Sequence, residues 1–249
     1  MRTLAGGCRV FSPEDGQIAV LGTCASRRVV SRETGAEHIA QTVSEYAAGI
    51  SPAMVNPHAE EVLYAAAGEG VAHVNGFAYS LRPGCALFVP PGAIYQIESA
   101  GPDRLRLISS CCPADSGRHP AEPAPAQSGE APPLLVHEEE RKAIRAGKDR
   151  VFRYLVHTDL GCREITQFAG WIPPSKAPFH FHTYEEAIFI LQGRGVVHVE
   201  EEGCEFAAGS SIYFPIGVRH CVENPGNSTI KLLGAFYPSG SPGAAYEDQ

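Results

Sequence analysis

The sequence predicts an all-β chain built from two copies of one unit, and three observations predict it. Its 249 residues hold 26 glycines and 20 prolines, the composition of many short strands joined by turns. A run in the second half returns in the first half at an ungapped shift that lays Glu186 onto Glu61. Within that run, His180 to His220 carries three histidines and a carboxylate at spacings that suit a metal ion.

Hydrophobic residues at 44% and charged residues at 19% describe an ordinary globular chain with a sizeable core. The formal charge of −8 argues against nucleic acid or an anionic membrane as partner. No run of about eighteen apolar residues is present, and Met1 to Gly7 lacks the apolar core of a signal peptide. The expectation is a soluble, cytoplasmic protein. Its eight cysteines form no C-x-x-C pair and read as reduced core thiols. Cys221 follows His220, so strand alternation points it away from the face His220 uses.

Taken in order, the first fifty residues hold two short candidate strands, 18–21 and 27–30, while Ile39 to Tyr46 lacks a clean period. Residues 53–112 form the first copy. The shift that joins Glu186 to Glu61 also joins Glu185 to Glu60, Gly193 to Gly68, His198 to His73, Gly209 to Gly84, Pro215 to Pro90 and Gly217 to Gly92. Glycines and prolines have special backbone roles, so an ungapped match of them marks a true repeat. The same shift lays Val55 under His180, Pro57 under His182 and Tyr95 under His220. A lone carboxylate cannot hold a divalent transition metal, so the first copy is read as structural. Its functional alternative is a metal-free pocket with Tyr95 and Glu61 as polar contacts. His73 and His198 are equivalent, which favours a packing or hydrogen-bonding role over ligation.

Residues 113–133 are rich in Pro, Ala, Ser and Gly with no aliphatic side chain larger than Ala, and read as an exposed linker. Glu138 and Lys142 form an i,i+4 pair of favourable polarity, consistent with a helical turn. Val151 to Val156 and Cys162 to Trp171 follow as strands. His180 and His182 then lie two residues apart, so a strand points both to one face, and Glu186 shares their parity. His220 arrives after the turn Pro215-x-Gly217. Glu185, of opposite parity and retained in the first copy as Glu60, reads as a structural carboxylate paired with an arginine. Phe179 and Phe181 should face away from the site.

The run His180-x-His182-x-x-x-Glu186, then Gly193, resembles the first motif of the cupins. Gly209 with Pro215-x-Gly217-x-x-His220 and Asn224 resembles the second. The resemblance implies two tandem antiparallel double-stranded β-helix (jelly-roll) barrels: 1–112 with a degenerate site, the linker 113–133, and 134–249 with a metal. It also implies one divalent transition metal per chain held by His180, His182, Glu186 and His220, with Fe or Mn favoured over Zn, Ni or Cu. Imidazole and carboxylate donors suit all five ions and leave open coordination positions. Gln167, Trp171, Tyr213 and Phe236 are nominated as pocket residues. No catalytic side chain and no phosphate-cradling loop is evident.

Cupin-like sites support dioxygenase, decarboxylase, isomerase and lyase chemistry. The expectation is therefore a metal-dependent enzyme of dioxygenase type acting on a small organic molecule. A non-redox lyase, isomerase or cyclase, and a non-enzymatic ligand-binding protein, are the alternatives. A homodimer is expected, with neither nucleic acid nor membrane as partner.

Overall fold

Side-chain alternation sets the strands. In Phe77–Leu81, buried Tyr79 and Leu81 alternate with exposed Ala78 and Ser80; in Glu202–Ala207, buried Cys204 and Phe206 alternate with exposed Glu205 and Ala207. The strand Cys85–Val89 is instead buried throughout, because both of its faces meet packed layers. The computed structural model describes residues 1–115, 117–146 and 149–240. They form four antiparallel sheets, two for each barrel, with helix confined to four short 3-10 turns. Both copies are jelly-roll barrels, the fold class the glycine, proline and repeat pattern predicts.

The repeat holds at the level of backbone geometry. Glu60–Ala67 corresponds to Glu185–Gln192, and Leu105–Cys112 to Ile230–Tyr237, each at the shift that joins Glu61 to Glu186. Gly68 and Gly193 both take positive φ, 74° and 92°. A Cβ at Gly193 would stand 3.1 Å from the Ile230 Cα, and one at Gly68 2.8 Å from the Leu105 Cα. Glycine is required there both for its left-handed backbone and for the close approach of the neighbouring strand. His73 bonds Glu98 at 3.0 Å, and His198 bonds the equivalent Glu223 at 2.7 Å, so this pair is a shared structural feature.

The barrels pack through a common core. Val62, Tyr64, Phe88 and Ile108 of the first meet Ala169, Phe189, Leu233 and Ala235 of the second. Two buried glutamates tie them together reciprocally. Glu185 accepts from the backbone N–H of Glu37 and of His38, at 2.8 and 2.9 Å, and contacts His38 Nδ1 at 3.0 Å. Its repeat partner Glu60 accepts from the N–H of Arg163 and Glu164, the latter at 2.7 Å. The arginine expected for Glu185 is thus replaced by His38 and two amides. An acceptor of this kind satisfies loop donors that burial removes from water.

The sheets do not follow the expected division at 112 and 134. Arg9–Phe11 pairs with Ser211–Phe214, and Leu4, Cys8 and Val10 enter the core of the second barrel. Leu135–His137 pairs with Cys85–Val89 and so completes a sheet of the first. Each barrel has a strand from the other side of the presumed boundary, because an open sheet edge is satisfied by whichever segment reaches it.

The presumed linker also differs from expectation. His119–Pro120 pairs with Met54–Val55, the Ala121 N–H bonds the Ala53 carbonyl, and the Tyr79 hydroxyl donates to the Pro132 carbonyl. Low apolar content did not prevent ordering, since backbone hydrogen bonds to an existing barrel hold the segment as a strap. All eight cysteines are free thiols, seven of them buried.

Candidate metal centre

The backbone brings the histidines together before any side chain is considered. His180 and His220 sit directly opposite in an antiparallel bridge, with N–H to carbonyl bonds of 2.9 and 2.8 Å in the two directions. The Gly217 N–H, in the left-handed turn at φ 75°, bonds the His182 carbonyl at 2.9 Å. The turn Pro215-x-Gly217 therefore aligns His220 with the other two histidines.

One nitrogen from each of His180, His182 and His220 lies within 4.8 Å of the others. His180 Nδ1 donates to the Pro178 carbonyl at 3.1 Å, and His220 Nδ1 to the Val218 carbonyl at 2.8 Å. Those bonds place the proton on Nδ1 and make Nε2 the unprotonated nitrogen of each ring, the arrangement that orients metal-ligating imidazoles. His182 Nδ1 is buried without a hydrogen-bond partner. The ring is held by stacking on Tyr184, which stacks on Phe236, at 4.5 and 4.2 Å between centroids. Phe214 stacks on His220 at 3.8 Å.

Burial lowers the pKa of all three histidines, His182 and His220 to about 3, with neighbouring imidazoles adding to the effect for those two. They are accordingly neutral at physiological pH, the form in which imidazole ligates a metal. Glu186 lies 3.6 Å from His182 Nε2, and its carboxylate falls outside the mutual spacing of the three imidazoles. Burial pushes its pKa up to about 8. A cation in the triad would reverse that shift by stabilising the carboxylate. The donor set of three neutral imidazoles and an adjacent carboxylate fits a divalent transition ion.

A cavity of about 120 Å³ opens over the triad, walled mainly by apolar and aromatic side chains, with Arg150 and the Glu186 carboxyl among them. Of the nominated pocket residues, Trp171 lines it, and Arg153 and Lys231 each lie 5.5 Å from its ring. Phe236 stands behind Tyr184 and supports the wall. Gln167 and Tyr213 do not reach the cavity. Gln167 shares the parity of Ala169, which faces the interbarrel core, and Tyr213 packs in that core beside Glu185. On both strands it is the even-numbered residues, such as Phe168, Ile212 and Phe214, that turn into the barrel. Phe179 lies off the cavity, under the Arg219 guanidinium at 4.7 Å. Cys221 likewise does not line it. Tyr184 was missed, although it shares the parity of His180, His182 and Glu186. Arg150 and Phe152 carried no signal in the sequence.

In the first barrel the equivalent positions hold no imidazole. Tyr95 donates its hydroxyl to Glu61 at 2.9 Å, and the guanidinium of Arg118, from the strap, stands 3.5 Å from the same carboxylate.

Comparison with known proteins agrees with this geometry. The model of the cupin domain matches residues 43–111 and 171–236, more than half the chain and one segment in each barrel. An uncharacterized protein of Methanocaldococcus jannaschii is 36% identical over 91 residues, 35% of this chain and 73% of that protein. A mannose-1-phosphate guanylyltransferase of Salmonella montevideo is 35% identical over 54 residues, 22% of this chain and 11% of that protein. Among solved structures, a mutant oxalate decarboxylase of Bacillus subtilis superposes with a TM-score of 0.76 at 16% identity, covering 93% of this chain and 78% of that one. Structures of that decarboxylase include one with Mn(II) centres. With the repeat, the two barrels and the histidine triad all in place, the chain belongs to the cupin family, as a two-barrel member.

Proposed function

We propose that the second barrel is a mononuclear metal centre that oxidises a small organic substrate with molecular oxygen. The observation that carries this is the convergence of three neutral imidazoles, two of them with a hydrogen-bonded Nδ1, at the floor of a mainly apolar cavity. His180, His182 and His220 would hold the ion through Nε2, with Glu186 beside them. The metal, when bound, supplies Lewis acidity and one-electron redox chemistry.

The chain supplies the rest. Phe152, Trp171 and Leu232 exclude water from the cavity and favour an apolar or aromatic substrate body. Arg150, the cation in the wall, suits a substrate that carries a carboxylate or an enolate oxygen. No lysine, cysteine or second carboxylate lines the cavity among the described residues. That favours chemistry at the metal over acid–base relays between side chains. The Mn(II) of the oxalate decarboxylase supports Mn, alongside Fe, as the ion.

One observation favours a second reading. The Glu186 carboxyl stands apart from the mutual spacing of the three imidazoles and lines the cavity, a position from which it could carry a proton for a non-redox isomerase or lyase. Metal analysis of protein isolated without added metal, combined with an oxygen electrode and a panel of small enolisable and aromatic acids, separates the two. The expected result is about one Fe or Mn per chain, substrate-dependent oxygen uptake, and loss of both in His182→Ala. Zinc with oxygen-independent turnover that Glu186→Gln abolishes would instead establish the second reading. Stoichiometric metal retained in His182→Ala would overturn the assignment of the centre itself.

A further inference from the structure

The first barrel has lost its imidazoles but has not closed. Beside Glu61 lies a polar cavity of about 200 Å³, bordered by Arg118, Arg28, Asn56 and Thr42. Glu61 is already satisfied: Oε2 accepts from the Tyr95 hydroxyl at 2.9 Å, and Oε1 from Ser109 Oγ at 2.5 Å, with Arg118 Nη1 at 3.5 Å. The Arg118 guanidinium lies 5.4 Å from the centre of the Tyr95 ring. Its side chain is 30% exposed, which places it at the mouth of the barrel rather than sealed within. Apart from that ion pair its N–H groups have no partner among the described residues. Arg28 donates from Nη2 to the Ala114 carbonyl at 2.7 Å and also meets the Cys111 thiol.

Asn56 is the decisive residue. It is 1% exposed and lines the cavity, yet neither its Nδ2 nor its Oδ1 has a hydrogen-bond partner. A buried carboxamide with both ends unsatisfied carries its full desolvation cost unless something in the cavity bonds it. Nothing in the packing demands it, since an apolar residue of similar size would fill the same volume without that cost.

We propose that this cavity is a metal-free binding site for a small carboxylate, held by the guanidinium groups of Arg118 and Arg28 and by the side-chain amide of Asn56. Two guanidinium groups face one carboxylate that is already paired, so the cavity is net positive. Planar N–H forks match a carboxylate in geometry. Asn56 offers a donor and an acceptor together, which suits a ligand with a hydroxyl next to its carboxylate. At ~30 Å³ per water-sized group the volume admits about six non-hydrogen atoms. The site owes nothing to the second barrel's histidines, and Arg118 reaches its mouth from the strap.

The test uses the full-length His182→Ala variant treated with a chelator and carrying Arg150→Ala, so that no carboxylate can bind at the metal centre or at the cation in its wall. Glycolate and its neutral amide, glycolamide, are titrated by calorimetry. Saturable binding of one glycolate per chain is expected, with glycolamide at least tenfold weaker. Adding Asn56→Ala should weaken glycolate about tenfold. So should Arg118→Ala combined with Glu61→Gln, a pairing that avoids stranding a buried carboxylate. Glu61→Gln alone should leave binding in place. Absence of glycolate binding, equal affinity for glycolamide, or affinity unchanged in both the Asn56 and Arg118 variants would overturn the proposal. Because the metal centre is disabled throughout, none of these results depends on the reading of the second barrel.

Discussion

Glu185 shows how a single side chain can look catalytic in a sequence and be structural in the fold. It adjoins a candidate ligand, yet both its oxygens are used by the Glu37 and His38 amides and the His38 ring. Replacing it with alanine leaves two loop donors unsatisfied under a barrel. Each bond to a charged group is worth about 1.5–3 kcal/mol, so Glu185→Ala should lower unfolding stability by about 3–6 kcal/mol, measured by urea denaturation. Metal content per folded chain should not change, and its loss would return Glu185 to the centre. The buried thiols give a second outcome at this scale. Burial pushes Cys111 up to about 11 and Cys8 to about 12, with Glu61 and Cys204 respectively adding to the shift. Their folded pKa values are raised above the unfolded value near 9, so the stability they contribute is complete below pH 9. It is lost as pH rises through 11 to 12, each thiol steepening the loss by about 1.4 kcal/mol per pH unit. Urea midpoints at pH 8 and pH 10.5 should therefore differ, and Cys8→Ala should reduce the difference. Equal midpoints would contradict the burial argument.

At the scale of elements, the second barrel depends on residues from the far end of the chain. Arg9–Phe11 covers the edge of Ser211–Phe214, and Leu4 and Val10 fill the core beneath. Fully burying such a side chain contributes about 1.5–3 kcal/mol. Removing residues 1–11 should thus destabilise the metal barrel rather than the one beside it in sequence. The expected readout is a lower melting temperature with weaker metal retention in the truncated protein. Retention equal to the full chain would show that the edge strand is dispensable. Nothing local in Arg9–Phe11 announces its sheet, since strand pairing is decided by which open edge is near. The repeat was legible because Gly68 and Gly193 need a backbone geometry that other residues resist. The triad was legible because two-residue spacing and a Pro-x-Gly turn fix direction. Gln167 and Tyr213 were misplaced because their strands carry no metal ligand to anchor the parity. Arg118 was invisible, lying in a stretch whose composition describes a linker.

For the molecule as a whole, the exchanged strands and the shared core argue that the two barrels fold as one. Val62, Phe88 and Ile108 bury their side chains against Phe189, Leu233 and Ala235, and Glu60 and Glu185 each cap a loop of the opposite barrel. Cutting the chain at the strap would expose that core on both halves, along with an unpaired edge on each. A barrel with its apolar interface open to water gains too little burial to offset its conformational entropy. The full chain should therefore melt in a single calorimetric transition whose van't Hoff and calorimetric enthalpies agree. The fragments 1–133 and 134–249, expressed apart, should be insoluble or lack a cooperative transition, and should recover one only when refolded together. Two separable transitions in the full chain, or a 134–249 fragment that folds and holds metal alone, would show that the metal barrel is autonomous. In that case the first barrel would have to be explained by its own cavity, which makes the carboxylate site at Asn56 and Arg118 a test of why the metal-free copy of the fold has been kept.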